Sequence, residues 1–107
     1  MNIKTNNYDK NEIALSALYE VMDPEIDLNI VDLGLVYETE FHDDANTVVV
    51  LMTLTTRFCP MGESIVESAT KALQNVFPDA EIQINLTFQP PWDQSMISEE
   101  GNLFLSS

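Results

Sequence analysis

The sequence predicts a two-layer α+β domain in which two helices cover one face of a small, mixed, three-stranded sheet. Apolar residues recur at helical spacing in two separate segments, two apolar-rich strands flank a short polar loop, and a strictly alternating strand follows the second helix. The resulting order is helix, strand, strand, helix, strand. A helical crossover joins parallel strands and a short loop joins antiparallel ones, so both strand directions are expected in this sheet.

The two helices are predicted at 11–22 and 60–77, where an apolar stripe is spaced three to four residues apart. The first is expected to end at Asp23, because the residue before Pro24 is biased away from helical angles. Pro60 suits the first turn of the second helix, where its missing N–H costs nothing. Both helices therefore have an apolar side to place on the sheet.

Three strands complete the predicted sheet, at 35–41, 47–55 and 80–88. The hairpin loop 42–46 joins the first two. The middle strand is apolar on both faces, which indicates a central position that is covered on at least part of its second face. The last strand alternates apolar and polar residues, so one of its faces is predicted to be buried. Residues 95–105 are expected to form a short tail with one helical turn.

With 107 residues, the chain has the length of a single domain. We expect a flexible N-terminal segment at 1–9, the domain at 10–101 and a C-terminal tail at 102–107. The single cysteine excludes an intramolecular disulfide. The polar N-terminal residues do not resemble a signal peptide, and the sequence lacks the roughly 18 consecutive apolar residues of a membrane span. These features favour a soluble protein in the reducing cytoplasm.

The charge of the chain is strongly negative. Four Lys and Arg stand against 18 Asp and Glu, which gives a net charge of −14. Such a surface repels phosphate backbones and anionic membranes, so neither nucleic acid nor a membrane is expected as a partner. Two interpretations stay open: the charge serves solubility alone, or it attracts cationic partners, metal ions among them.

Cys59 is the strongest candidate for a chemical role. It comes directly before a predicted helix start, where unpaired amides favour the thiolate, and Arg57 adds a positive charge two residues away. The alternative is a buried structural cysteine. One thiolate cannot complete a zinc or cluster site, so a ligand role requires a second chain, an exogenous thiol or nearby carboxylates. A homodimer that pairs two Cys59 thiols is the simplest arrangement.

A group of acidic residues lies before the first predicted strand: Asp23, Glu25, Asp27 and Asp32. Carboxylates of this kind bind hard cations, but the spacing matches no calcium-binding loop. Asp23 before Pro24 is explained as a turn or cap residue. The sequence offers no such structural explanation for Glu25 and Asp32.

The remaining polar and aromatic candidates favour structural roles. The single histidine, His42, falls in the hairpin loop and is predicted to be solvent-exposed. Without a second histidine, the sequence does not support a Cys-His or Ser-His-Asp arrangement, so we do not expect an enzyme. Trp92 follows two prolines at the end of the last strand, where packing against the core is favoured over an exposed binding role.

Five separated segments occur in a characteristic order: Asp23-Pro24-Glu25-Ile26, then 30–37, 52–56, Cys59-Pro60-Met61-Gly62 and Pro90-Pro91-Trp92 with 96–100. Over about residues 10–101 they resemble the SufT-like and PaaD-like family of metal–sulfur (iron–sulfur) cluster assembly proteins. The resemblance implies a helix, two strands, a helix and a strand. By the motif match, the family's site falls on Asp23, Glu25, Thr55, Thr56 and Cys59.

The resemblance also implies a function and its partners. Members are accessory factors that mature iron–sulfur clusters or deliver them to client proteins. The cofactor expected is a transient, labile cluster that Cys59 ligates together with a second chain or a client. The partners expected are scaffold or carrier proteins and apo-clients, and a pure adaptor role stays open. Arg57 stands where many members have proline, and the chain lacks the cysteine-rich tail of PaaD proper.

Overall fold

This computed structural model describes residues 3–55 and 62–106, which contain three α-helices, a short 3-10 helix (Gln94–Met96) and six strands. The helices are α1 (Tyr8–Leu18), α2 (Gly62–Val76) and α3 (Glu99–Ser106). The strands are β1 (Lys4–Thr5), β2 (Met22–Asp23), β3 (Leu28–Asn29), β4 (Val36–His42), β5 (Thr47–Met52) and β6 (Glu81–Leu86). The predicted α+β class is confirmed. Within these ranges, no helix combines the length and the apolar character needed to cross a membrane.

Four of the strands form one mixed sheet in the order β1-β4-β5-β6. β4 and β5 are the antiparallel hairpin that the sequence predicts, and β5 runs parallel to β6 across the α2 crossover. β1 is an additional edge strand, parallel to β4, so the sheet has four strands where three were predicted. β2 and β3 form a separate antiparallel pair in the loop before β4.

The N-terminal segment differs from the flexible extension that was expected at 1–9. Residues 4–5 pair with β4, and α1 begins at Tyr8. The cause is the hydroxyl of Thr39, a fully buried polar group on β4, which is 2.9 Å from the Thr5 hydroxyl and 2.7 Å from Asn11 Oδ1. A buried hydroxyl requires partners, and these come from β1 and α1. The segment is therefore tied to the sheet.

The two long helices share one face of the sheet, as predicted. Their buried residues, Ala14 and Leu18 on α1 and Ile65, Ala69 and Leu73 on α2, belong to one core cluster with the alternate β5 residues Val48, Val50 and Met52. The other β5 residues, Val49 and Leu51, are half-buried. Leu51 shares an open pocket of about 570 Å³ with residues of the N- and C-terminal segments, so the second face of β5 is partly covered.

Two helix boundaries differ from the sequence prediction. α1 ends at Leu18 instead of 22, because Val21 turns into the core and its N–H donates to the Leu18 carbonyl at 3.0 Å. Residues 102–106, expected in a tail, belong to α3. Ser98 caps that helix by accepting a hydrogen bond from Gly101 N–H at 3.0 Å. The Ser98-Glu99-Glu100 start is an ordinary N-cap with acidic first-turn residues.

Gly34 allows the C-terminal segment to pass close over the loop before β4. Its φ of +82° lies in the left-handed region, and a Cβ built on it would be 2.3 Å from the Met96 carbonyl oxygen. Both the conformation and the space therefore require glycine at this position.

We predict that Gly34→Ala lowers the free energy of unfolding by about 2 to 4 kcal/mol, because it adds backbone strain and a backbone clash. Urea denaturation measures the loss. Gln94→Ala, an exposed change on the same C-terminal segment, is the control and is expected to stay within about 0.5 kcal/mol of the parent. An unchanged midpoint for Gly34→Ala would contradict the close approach of Met96.

Candidate functional site

The candidate site is at the carboxyl ends of the parallel strands β5 and β6. Thr55, half-buried, follows β5, and α2 starts at Gly62. Beyond the strand ends, the N–H of Thr87 still donates to the Met52 carbonyl at 2.9 Å, which keeps the two chain segments together at this edge. In sheets with helical crossovers, ligands bind outside the carboxyl ends of the strands, beside the helix N-termini.

The predicted site residues Thr56, Arg57 and Cys59 lie outside the described residues. They belong to the connection between Thr55 and Gly62. Of the threonine pair and the cysteine implied by the resemblance, the structure therefore describes Thr55 alone.

An apolar pocket of about 400 Å³ lies beside the start of α2. It is lined by Leu54, Gly62, Glu63, Val66, Glu67 and Leu86. Leu86 ends β6 with 45% of its surface exposed, which is unusual for the last member of an otherwise inward-facing row. Glu63 and Glu67 lie one helical turn apart, and Glu67 pairs with Lys71 at 3.2 Å. This edge thus presents apolar surface with an acidic border.

Asp23 has a structural role in the turn between β2 and β3. Its side chain is buried, and Oδ1 accepts hydrogen bonds from the N–H groups of Glu25 at 2.8 Å and Ile26 at 3.3 Å. Asp27, with φ of +63°, closes the turn by donating its N–H to the Asp23 carbonyl at 2.8 Å. These contacts confirm the turn interpretation of Asp23. Its side-chain hydrogen bonds stay within the turn and do not reach Thr55.

Glu25 is an exposed carboxylate of the same turn. The Asp23 side chain fixes its backbone, while its own side chain faces solvent. The turn alone is not a metal site: across residues 3–55 and 62–106, no three His, Cys, Asp or Glu side chains are grouped as metal ligands would be. The Glu25 side chain is therefore accessible from solvent.

Asp32 holds the start of α3, a role that the sequence analysis did not find. Its carboxylate accepts hydrogen bonds from Asn29 Nδ2 at 2.7 Å and from the Ser98 hydroxyl at 2.8 Å. The Ser98 N–H also donates to the Asp32 carbonyl at 2.7 Å. Because 66 residues separate Asp32 from Ser98, no local spacing rule could reveal the pair.

Two further side chains fix the C-terminal segment on the loop before β4. The indole N–H of Trp92 donates to the Leu33 carbonyl at 2.7 Å, which agrees with the predicted packing role. The Tyr37 hydroxyl donates to the Pro90 carbonyl at 2.8 Å. Burial raises the pKa of Tyr37; its hydrogen bond with Thr53 opposes this, and the charge of Asp93 adds to it. The phenol therefore stays protonated at neutral pH and remains a donor.

His42 ends β4 as an exposed residue, 3.6 Å from a carboxylate oxygen of Glu40. This confirms its predicted exposure. Asp32, Gly34 and Trp92, which belong to the motifs of the family resemblance, all take part in the attachment of the C-terminal segment.

Comparison with known proteins identifies the family. Residues 11–85 match the family model described as iron–sulfur cluster assembly protein. The chain belongs to this family. The match ends within β6, so the C-terminal segment attached to Asp32, Leu33 and Tyr37 lies beyond the residues that the family model matches.

The named relatives of this iron–sulfur cluster assembly family member cover most of its length. A Porphyromonas gingivalis Fe-S protein maturation auxiliary factor is 41% identical over 82% of this chain and 83% of its own. The Bacillus subtilis Fe-S protein maturation auxiliary factor YitW is 34% identical over 88% and 91%. A DUF59 domain of unknown function from Bacillus anthracis, a crystal structure, is 35% identical over 90% of both chains with a TM-score of 0.83.

We predict that Asp32→Ala and Ser98→Ala each lower the free energy of unfolding by about 1 to 3 kcal/mol, because the first removes the acceptor of the Ser98 hydroxyl and the second removes that hydroxyl, which also caps α3. The double variant should lose about 1 kcal/mol less than the sum of the two, since the residues share one bond. Urea denaturation provides all three values. Ser68→Ala, on the exposed side of α2, controls for the loss of a hydroxyl. Strict additivity would contradict the Asp32–Ser98 bond.

Proposed function

We infer that this protein is a non-catalytic accessory factor that assembles iron–sulfur clusters or delivers them to client proteins, with Cys59 as the cluster ligand or transfer thiol. The observation that carries the inference is membership of the iron–sulfur cluster assembly family over residues 11–85. The relatives named as maturation auxiliary factors, aligned over most of both chains, support it. A cytoplasmic location suits a protein whose single cysteine must stay reduced.

The position of Cys59 in the sequence supports a thiolate role. It lies on the connection from β5 to α2, three residues before Gly62. α2 has 15 residues, and the partial positive charge of a helix N-terminus lowers the pKa of a nearby thiol. Arg57 acts in the same direction, while Glu63 in the first turn of α2 opposes it. Thr55 and Thr56 add hydroxyls that can donate hydrogen bonds to a thiolate or a cluster sulfide.

The cluster is cargo in this proposal, because one thiolate is too few ligands to retain it. Among residues 3–55 and 62–106, no grouping of acids and histidine supplies the missing ligands. The remaining ligands therefore come from an apo-client, a scaffold or carrier protein, or a second copy of the chain. A short-lived, shared site of this kind suits transfer better than storage.

An adaptor function is the second candidate, and the pocket beside the start of α2 favours it. Leu54, Val66 and the exposed Leu86 form apolar surface with the carboxylates of Glu63 and Glu67 at its border. Such a surface suits the docking of a protein that has apolar and basic residues at its contact region. As an adaptor, the present chain would bind an apo-client at this surface and bring it to a separate carrier protein. Cys59 would then not bind the cluster.

We predict that anaerobic reconstitution with iron and sulfide produces the visible absorption of a cluster in the parent protein and not in Cys59→Ser. The reason is that the thiolate is the one cysteine ligand in the chain. Absorption spectroscopy and iron counting measure the result, and activation of an apo iron–sulfur enzyme measures delivery. Met61→Leu, two residues away, is the control for changes in the same connection.

The two candidate functions give different results for Cys59→Ser. Loss of both colour and delivery supports the carrier. If the reconstituted parent protein is colourless and Cys59→Ser still activates the client fully, the carrier function is excluded and the adaptor function remains.

We predict that Glu25→Gln slows cluster delivery while the free energy of unfolding changes by less than about 0.5 kcal/mol, because the Glu25 side chain is exposed. Asp23→Ala should instead lower that free energy by about 1 to 3 kcal/mol, since two backbone N–H groups lose their acceptor. Urea denaturation and client activation separate the two effects. Glu12→Gln, which removes an exposed charge on α1, is the control for the loss of one negative charge. If Glu25→Gln and Glu12→Gln deliver clusters at the same rate, Glu25 has no role in the site.

A further inference from the structure

The outer edge of β6 is the longest open edge of the sheet. β6 ends the order β1-β4-β5-β6 with six residues, and within the described ranges no strand pairs with its outer side. The opposite edge is β1, which has two residues. Proteins commonly protect long edges with a lysine, a proline or a bulge, and β6 has none of these. An open edge of this length is suited to pairing with another strand.

The hydrogen-bond direction along β6 shows which groups are available. The N–H groups of Glu81 and Thr87 donate toward the β5 side, to the carbonyls of Asn46 and Met52 at 2.9 Å each. Because backbone groups alternate sides along a strand, the odd-numbered residues bond to β5. The N–H and C=O groups of Ile82, Ile84 and Leu86 therefore point away from the sheet. These three residues offer three donors and three acceptors.

The side chains of β6 carry a single charge in a chain of net charge −14. Gln83 and Asn85 are the exposed residues in the middle of the strand, and Glu81 at its start is the only charged one. Two copies of the chain repel each other over most of their acidic surface. Glu63 and Glu67 of α2 border the Leu86 end. The middle of the β6 edge is where two copies can approach with little local repulsion.

We propose that β6 is a self-association edge on which a second copy of this chain pairs antiparallel, with Ile84 opposite Ile84 of the second copy. In this register, Ile82 lies opposite Leu86, and all three outward-pointing residues of each strand form hydrogen bonds. Gln83 lies opposite Asn85, so two neutral amides face each other across the pair. The exposed Leu86 gains an apolar cross-strand neighbour.

This geometry determines what the dimer can contribute at the candidate site. Two strands paired about Ile84 hold their Leu86 residues roughly 14 Å apart along the strand direction. Each copy therefore keeps its own site at its own β6 end, and the pairing does not bring the two sites together. The self-association is independent of the proposed cluster function and requires neither the thiol nor a cluster.

Analytical ultracentrifugation from about 5 to about 500 μM tests the association, at about 0.05 and 0.5 M salt. We expect a dimer that strengthens with salt, because salt screens the repulsion between two acidic copies. Amide hydrogen exchange followed by NMR locates the interface. The amides of Ile82, Ile84 and Leu86 should become protected as concentration rises, whereas those of Gln83 and Asn85 are protected in the monomer as well.

Two double variants test the register. Gln83→Glu with Asn85→Glu places like charges opposite each other and should weaken the dimer at least tenfold. Gln83→Lys with Asn85→Glu places opposite charges in the same positions and should restore or exceed the parent affinity. The matched control is Gln74→Glu with Asn75→Glu, the same residue types exposed on α2, which should weaken association far less.

The proposal is overturned if the protein stays monomeric at 500 μM in both salts. It is also overturned if a dimer forms while the amide hydrogens of Ile82, Ile84 and Leu86 still exchange with solvent as fast as in the monomer. Binding of an extended peptide at the β6 edge without binding of a second copy would overturn it as well. Cys59→Ser should dimerise like the parent protein. Loss of the dimer and loss of cluster delivery are therefore separate results.

Discussion

Strand β5 lies between two layers, and its position determines where the rest of the chain can go. Val50 and Met52 are fully buried under the helices, while Val49 and Leu51 on the other face are partly covered. A strand of this kind must be central, so it pairs with β4 on one side and β6 on the other. The chain that follows β5 crosses over through α2 to reach the parallel strand β6.

The C-terminal segment is attached to the loop before β4 and to β4 by long-range hydrogen bonds. Asp32, Leu33 and Tyr37 each bond to a residue of the segment from Pro90 to Ser98. A hydrogen bond to a charged group stabilises by about 1.5 to 3 kcal/mol and a neutral one by about 0.5 to 1.5 kcal/mol, and the loss of one leaves a partner unsatisfied. The conspicuous loop motif thus serves to attach the C-terminal segment, although its acidic residue first suggested metal chemistry.

The sequence predicted the elements whose signals are local and missed those that depend on distant partners. Periodicity located α2, β4, β5 and β6 to within a few residues, and Pro24 correctly indicated the turn at Asp23. β1 has two residues and forms because Thr39 is buried, a fact that no local pattern contains. Asp32 had no structural explanation in the sequence because its partner is 66 residues away. Glu25 and Cys59 were proposed from the family resemblance, and their roles remain proposals.

The single thiol and the open β6 edge together constrain how this protein could transfer a cluster. Four thiolates usually hold a cluster and the chain has one cysteine, and antiparallel pairing on β6 would hold two sites apart instead of merging them. The missing ligands would then come from the client or the carrier, so that transfer exchanges ligands within one mixed complex. A dimer of this kind would present two such sites on one acidic particle. Its role would be to offer two independent docking positions, with no cluster bridging the subunits.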